Sequence, residues 1–459
     1  MRKSSKILAL AVAAVMTASM FAACGGSASS ASKPASGSAP AAEGSVYFLN
    51  FKPEQDEAYQ KIAKAYTEST GVPVKVVTAA AGTYEQTLKS EIAKSDAPTL
   101  FQINGPVGYT AWKDYCADLS GSELYGHMLD KSIAITDGEG VYGIPFVIEG
   151  YGIIYNKAIL AKYTAMKGAV VKSADEIVDF ATLKAVVEDM QSKAKDLGIE
   201  GVFSSTSLAP GEDWRWQTHL ANVPVYYEFQ KNEVDLRDAA ATAEIKFEYG
   251  EQYKNLFDLY LNNSVTEKGL LGSKTVDDSM AEFALGESAM VQNGNWAYGQ
   301  ISGVDGNVVK PEDVAFLPIF TGIDGEKGQG LCIGTENFFC VNKTASQENQ
   351  KATIDFVTWL YTSPEGMAYV TNDLGFIAPF DTFGDDVKPT DPLAQNVLAW
   401  SAKADTHNVP WNFTVFPSQT FKDNFGAKLL EYAQGTATWA DVNTTVVDGW
   451  KTEKANAAG

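Results

Sequence analysis

A chain of 459 residues is about three times a typical domain, so two domains are the expected minimum, and 45% hydrophobic residues supply ample core. With 57 acidic residues against 36 basic ones the formal charge is −21, a field that repels phosphate backbones and argues against nucleic-acid partners and polyanionic substrates. Only three histidines are present, so a His-rich metal site has no support, and neutral or cationic small ligands remain.

The chain begins with a positive cluster, Arg2, Lys3 and Lys6, followed by an apolar run from Ile7 to Met16. That run is too short to span a bilayer, which takes about 20 residues, but it suits a secretory signal over residues 1–23. It ends in Phe21-Ala22-Ala23-Cys24-Gly25, which resembles the lipobox of bacterial lipoproteins, with Cys24 as the lipidated residue. The alternative is an ordinary signal cut near Ala23, leaving Cys24 a spare thiol. From Gly25 to Glu43 the chain is almost all Ser, Ala, Gly and Pro, which cannot bury enough apolar surface to order itself, so 24–43 reads as a flexible tether. Loss of residues 1–23 removes three positive charges and leaves −24. No later stretch approaches a membrane span, and the expected product is a body held outside the cell membrane by lipid alone. Cys116, Cys332 and Cys340 remain; their odd number argues for buried free thiols over a disulfide framework, with a Cys332–Cys340 bridge the alternative.

The body opens with Val46–Phe51 as a strand, Glu54–Ser69 as a helix stopped by Gly71, Val74–Thr78 as a strand, a helix carrying Tyr84, Leu88 and Ile92, and Thr99–Asn104 as a third strand. Strands alternating with helices imply right-handed crossovers and a parallel sheet, whose ligands collect beyond the carboxyl ends of the strands. Those ends are Asn50-Phe51-Lys52, Ala79 to Tyr84, and Asn104-Gly105-Pro106. Further on, Asp175–Lys195 reads as one long helix, Gly201–Ser205 as a strand, Val276–Ala284 as a helix and Ser288–Gln292 as a strand. Thr344 with Gln347 reads as a capping box, and Ser363-Pro364 as a second helix start.

Several stretches together resemble the extracellular solute-binding proteins of bacterial ATP-driven sugar importers, the class of maltose-binding protein. They are Gly143-Ile144-Pro145-Phe146-Val147-Ile148-Glu149-Gly150 running into Ile154-Tyr155-Asn156-Lys157, and Phe283-Ala284-Leu285-Gly286-Glu287-Ser288-Ala289-Met290 with Asn293-Gly294-Asn295-Trp296. Ser363-Pro364-Glu365-Gly366, Gly375-Phe376-Ile377-Ala378-Pro379 and Ala433-Gln434-Gly435 before Trp439 follow in the order expected of that family. The resemblance implies a two-lobed α/β fold of the periplasmic-binding-protein type, each lobe a mostly parallel sheet flanked by helices. Three crossings would join the lobes, near Ile148–Gly152, Gly330–Gly334 and Phe376–Pro379. The amino-terminal lobe would hold 43–149 plus 334–378, the other 150–333 plus 379–459. The implied partners are a small sugar, the transmembrane subunits of an ABC permease, and the membrane through the anchor only; the protein would act as a monomer without a cofactor.

A sugar offers apolar C–H faces to flat rings and hydroxyls to fixed donors and acceptors. Trp296, after Asn295 at a strand end, therefore leads the candidates and matches a stacking position of the family; core packing is its alternative. Glu212-Asp213-Trp214-Arg215-Trp216 is a dense set of rings, acids and a guanidinium, although Trp214 and Trp216 cannot face one way on a helix. Trp411 supplies a third ring or a core residue. Asn50, Lys52, Glu54, Thr83, Tyr84, Glu85 and Asn104 follow strand ends, Glu54 and Glu85 with helix N-termini as their alternative role. Glu149 stands at the first crossing, where the family often carries an acidic ligand residue.

No GxSxG elbow, HExxH pair or phosphate loop is present, so no enzyme is expected. The readings left beside a receptor for a neutral sugar or oligosaccharide are a surface glycoside hydrolase, needing two carboxylates about 5–10 Å apart, and a binding protein of the same fold for a peptide or ferric ion.

Overall fold

The computed structural model describes residues 43–458 apart from residues 206, 237, 239 and 385. The export signal, Cys24 and the tether up to residue 42 lie outside the described residues. Among those described, no helix is long and apolar enough to cross a membrane.

The strands are β1 Val46–Asn50, β2 Val74–Thr78, β3 Leu100–Asn104, β4 Ile135–Asp137, β5 Gly140–Pro145 and β6 Glu149–Asn156. They continue with β7 Gly201–Phe203, β8 Ser288–Gly294, β9 Val314–Leu317, β10 Gln329–Gly334, β11 Asn337–Val341 and β12 His407–Pro410. One sheet runs β2-β1-β3-β11-β5-β4, the other β12-β10-β6-β8-β7 with β9 also on β6. Both are mixed and not mostly parallel as expected, because β11 returns antiparallel beside β3 and β5, and β6 antiparallel beside β8, β9 and β10. β1, the apolar run VYFLN, pairs parallel to both β2 and β3 and is buried along its whole length, as a central strand covered on two faces should be. Helix Asp56–Thr70 buries Tyr59, Ile62, Ala63 and Tyr66, an i, i+3, i+4, i+7 stripe, and closes with the Gly71 N–H on the Thr67 carbonyl at 2.9 Å. Phe48 links strand to helix, its ring 5.0 Å edge-on from Tyr59 and 5.8 Å from Phe339 on β11. The second sheet has its own core around Tyr151, Phe203, Tyr253 and Trp450.

The chain crosses from the first sheet to the second between Pro145 and Glu149 and returns between Gly334 and Asn337. The expected last crossing, Phe376–Pro379, lies beside the first: Ile377 bridges to Ile148, its carbonyl accepting the Ile148 N–H at 2.7 Å, and its side chain packs on a core of the second sheet. Phe380 is fully buried against Tyr361, with ring centroids 4.9 Å apart, and Phe383 packs on the same core. Helix Pro392–Ser401 then packs on the core that Ile377 already touches, through Leu393 and Val397. Apolar residues just past the crossing motif hold the chain in the first lobe.

Other local expectations shift for reasons of capping. Asp175–Lys195 is not one helix: Asp179 accepts the Thr182 N–H at 2.8 Å and starts a new helix, Phe180–Ser192, after a short turn at Ala174–Glu176. Helix Gln347–Thr362 is capped by Ser346, accepting from the Asn349 N–H at 3.2 Å, and Thr344 bonds to Asn342 instead. Cys116, Cys332 and Cys340 are free and buried, the last two on different sheets.

Candidate binding cleft

Pairing registers bring the ends of both sheets to one edge. Asn104 at the end of β3 pairs with Asn337 at the start of β11, and Glu149 at the start of β6 pairs with Gly334 at the end of β10. The carboxyl ends of β1, β3, β8 and β10 thus gather with the starts of β6 and β11 around a cavity of about 490 Å³. That size is usual for small-molecule sites, which run to about 300–1,000 Å³. The halves touch beyond it. A Cβ on Gly82, after β2, would lie 3.1 Å from Gly211 Cα on the other side, and one on Gly105 would lie 2.9 Å from Thr414 Cβ.

Three tryptophans form one wall. Trp296 and Trp214 are half-buried, with centroids 6.0 Å apart and planes at 48°; Trp411 is buried and stands at 90° to Trp296, 6.3 Å away. His219 fills the angle between them, 4.8 Å from Trp214 and 5.5 Å from Trp296, and stacks on Tyr151 at 4.2 Å. Burial, and then the positive charges of Arg215, Lys422 and Lys52, hold His219 well below the ordinary imidazole range, so it is neutral.

Lys52 sits at the base of the wall, its Nζ 2.8 and 3.1 Å from the two oxygens of Glu149, 3.5 Å from Glu54 and 5.5 Å from the Trp296 ring centroid. Burial works against its charge, but Glu149 and Glu54 outweigh that and hold the ammonium protonated. Glu149 is pushed up by burial, with Lys52 pulling it back; contact of one ammonium with both oxygens makes the pair ionic. Glu336 accepts from Asn104 Nδ2 at 3.0 Å and Glu85 from Trp112 Nε1 at 3.1 Å; burial raises both carboxyls despite the charge of Lys422, which also lines the cavity. Asp213 is raised to about 7, first by burial and then by Asp423 and Glu212, against hydrogen bonds from its own backbone N–H and from Gln217.

Of the sequence candidates, Lys52, Glu54, Tyr84, Glu85, Asn104, Glu149, Glu212, Asp213, Trp214, Trp296 and Trp411 line this cavity. Five others do not, each claimed by the fold; Thr83 donates its hydroxyl to the Ala80 carbonyl at 2.8 Å. Asn50 is fully buried, donating to the Lys52 carbonyl at 2.7 Å and to Thr78 Oγ at 3.1 Å, so it shapes the turn after β1. Asn295 Oδ1 accepts the Gly150 N–H at 2.9 Å and ties β8 to β6. Trp216 is in the core on Tyr260, 4.8 Å away, which leaves Trp214 as the ring at the cavity. Arg215 lies behind the wall, its guanidinium 4.6 Å from the Trp214 ring and bonded to Ser207 Oγ at 2.7 Å, with burial pushing it down to about 9.

Gln217, Thr218, His219, Glu336 and Lys422 line the cavity without having been expected. The first three follow the Trp-rich cluster on a wide π-helical turn, Arg215–Leu220, a form frequent at functional sites. Glu336 lies just past the expected second crossing, which is a usable signal; Lys422 is brought in by a distant helix and has none.

A family model described as bacterial extracellular solute-binding protein matches residues 61–399. The chain belongs to that family. No curated protein matches the sequence. Among solved structures, a chitin oligosaccharide binding protein is similar over 91% of this chain and 100% of its own, with a TM-score of 0.71 at 17% identity. SBP RafE in complex with raffinose aligns over 89% and 99% of the two chains, with 0.67 at 18%, and maltose-bound T. maritima MalE3 over 89% and 99%, with 0.64 at 17%. At such identities these likenesses concern the fold: a two-lobed solute-binding protein.

Two outcomes follow for the ligand-free protein and its closure. Asn tolerates the left-handed conformation that Gly82 adopts (φ +69), so Gly82→Asn keeps the loop but wedges it against Gly211. Ligand affinity should fall about tenfold or more, equal to about 1.4 kcal/mol of lost closure, with the apo denaturation midpoint nearly unchanged. Asp213 in the unfolded chain titrates near 3.8 and in the folded one near 7. Between those values the folded protein holds a proton that the unfolded chain has released, so this carboxyl costs stability as pH rises from about 4 to about 7. Asp213→Asn should remove that slope and stabilise the apo protein at pH 7.5, by at most about 4 kcal/mol, when denaturation at pH 5 and 7.5 is compared.

Proposed function

We propose that this solute-binding protein is a carbohydrate receptor, anchored outside the cell through Cys24, that delivers its sugar to an ABC import permease. The observation that carries the reading is the wall of Trp214, Trp296 and Trp411 set against carboxylates and amides in one cavity between two lobes. Flat rings take the C–H faces of a pyranose, and the carboxylates take its hydroxyls in charge-assisted hydrogen bonds. The likeness to proteins that bind chitin oligosaccharide, raffinose and maltose supports the same class.

The mechanism follows from the crossings. A sugar touching both lobes favours the closed form by its differential affinity, and the closed monomer presents both lobes to the permease. Nothing is cleaved; the sugar leaves as it came. Thermal-shift screening of the mature protein against mono- and oligosaccharides tests this, since a ligand at a hundredfold its dissociation constant adds about 2.7 kcal/mol. Recovery of shortened sugar after incubation would oppose it.

Trp296→Ala should leave the apo protein folded, because the ring is only half-buried. Affinity for the sugar found in the screen should drop by about 2–3 kcal/mol, roughly 30- to 150-fold, by calorimetry. Severe apo destabilisation with unchanged affinity would make the ring a core residue. Cys24→Ala, expressed in a lipoprotein-processing host, should release the protein from membranes; retention after a salt wash would refute the anchor.

A further inference from the structure

Charge is unevenly balanced inside the cavity, and the imbalance bears on the ligand; the inference rests on the carbohydrate reading and narrows it. At the crossing end, Lys52 lies between Glu149 and Glu54, and Glu336 has both Lys52 and Lys422 as positive neighbours. On the opposite side Arg215, behind Trp214, is the neighbour of Glu212 and Asp277. Asp213 has no such partner. Among the described residues the charges that act on it, Asp423 and Glu212, are both negative; its own backbone N–H and the Gln217 amide hydrogen-bond to it, and it is 4% exposed. It is also pinned: a Cβ on Gly426 would come within 1.5 Å of its Oδ2, so only glycine there admits the carboxylate.

One turn along, Gln217 is 2% exposed and its Oε1 has no hydrogen-bond partner. Asp213 and Gln217 are four residues apart, with the Gln217 N–H on the Asp213 carbonyl at 3.2 Å, so both side chains leave the same face of the turn and both line the cavity. Trp214 stands between them in sequence and lines the same cavity. This part of the wall therefore offers acceptors, one negative charge and a ring face. An N-acetyl group would set a carbonyl oxygen against acceptors. A hydroxyl could donate once but would not hold ionised a carboxyl that burial lifts to about 7. A protonated amine supplies three donors and the missing charge, and tolerates a tryptophan face beside it.

We propose that the bound sugar is an amino sugar whose free ammonium is held by Asp213 and Gln217 beside Trp214. Sugars differing only at that substituent test it: calorimetry at pH 7 of glucosamine against glucose and N-acetylglucosamine, of galactosamine against galactose, and of β-1,4-linked diglucosamine against cellobiose and its di-N-acetylated form. At least one amine should bind about tenfold or more tighter than its hydroxyl and N-acetyl counterparts, as expected for a charge-assisted contact in a desolvated site. In Asp213→Asn that ratio should collapse towards one; a ratio that persists would overturn the role given to Asp213. If neutral sugars bind the wild type as well as or better than the amines, the inference falls and the carbohydrate receptor stands. If none of these probes and no saccharide in the wider screen binds, both fall together.

Discussion

The ion pair between Lys52 and Glu149 is the contact around which the binding apparatus is arranged. Lys52 follows the last residue of β1 in the first sheet; Glu149 is the first residue of β6 in the second. Their contact, 2.8 and 3.1 Å and almost wholly buried, thus stitches the lobes together at the first crossing, close to the axis about which they would move. Burying two charges is costly, and such a pair is tolerated only when the geometry is good and the remaining donors and acceptors are met. Here the turn supplies that setting. Asn50 holds the backbone of Lys52 from both sides, donating to its carbonyl and accepting its N–H at 3.1 Å, while Glu54 takes a further share of the ammonium. The same ammonium sits 5.5 Å from the centre of the Trp296 ring, so the pair that joins the lobes also positions the leading edge of the aromatic wall.

The wall is stiffened from behind. Arg215 lies against Trp214, and Tyr151 carries the stacked ring of His219, whose neutral imidazole fills the space between Trp214 and Trp296 without adding a charge. A wide helical turn makes this arrangement by directing Gln217, Thr218 and His219 towards the cavity while Arg215 and Trp216 go inward. Rings held in this way would lose little freedom on meeting the proposed sugar, leaving more of any stacking energy to favour the closed form.

Alternation of strands and helices was legible from Val46 onward because β1 is apolar throughout and the next helix carries a clean apolar stripe. The helix Val276–Ala284 has the bounds its pattern implies, fixed by a capping box between Thr275 and Asp278. That one of Trp214 and Trp216 must turn inward was also legible, since two residues on a helix do not share a face; which one turns is decided by tertiary neighbours, Phe257 and Tyr260. Asn50 and Asn295 misled for a common reason. A polar side chain at a strand end looks available to a ligand, but the chain turns there and leaves backbone groups that need partners of their own. Glu336 could not be associated in sequence with Asn104, because an antiparallel pairing of distant strands brings them together, nor Lys422 with Glu85, because they meet only across the two lobes.

The overall acidity of the chain acquires a local meaning in the cleft. Glu85, Glu149, Asp213 and Glu336 are all raised by loss of water; nearby ammonium groups offset part of this for the other three, whereas the charges acting on Asp213 are negative. Whatever part of that burial comes from the facing lobe is an electrostatic penalty on closing an empty cleft; Asp213, packed on Gly426 of its own lobe, keeps its share in either form. A ligand that donates hydrogen bonds to the carboxylates removes part of the penalty only in the closed form, where both lobes reach it. On the proposed reading, the groups that would recognise the ligand are also those that disfavour closure without it. Selectivity and the hinge equilibrium then have one physical origin: the closed state is reserved for a solute rich enough in donors to replace the water it excludes.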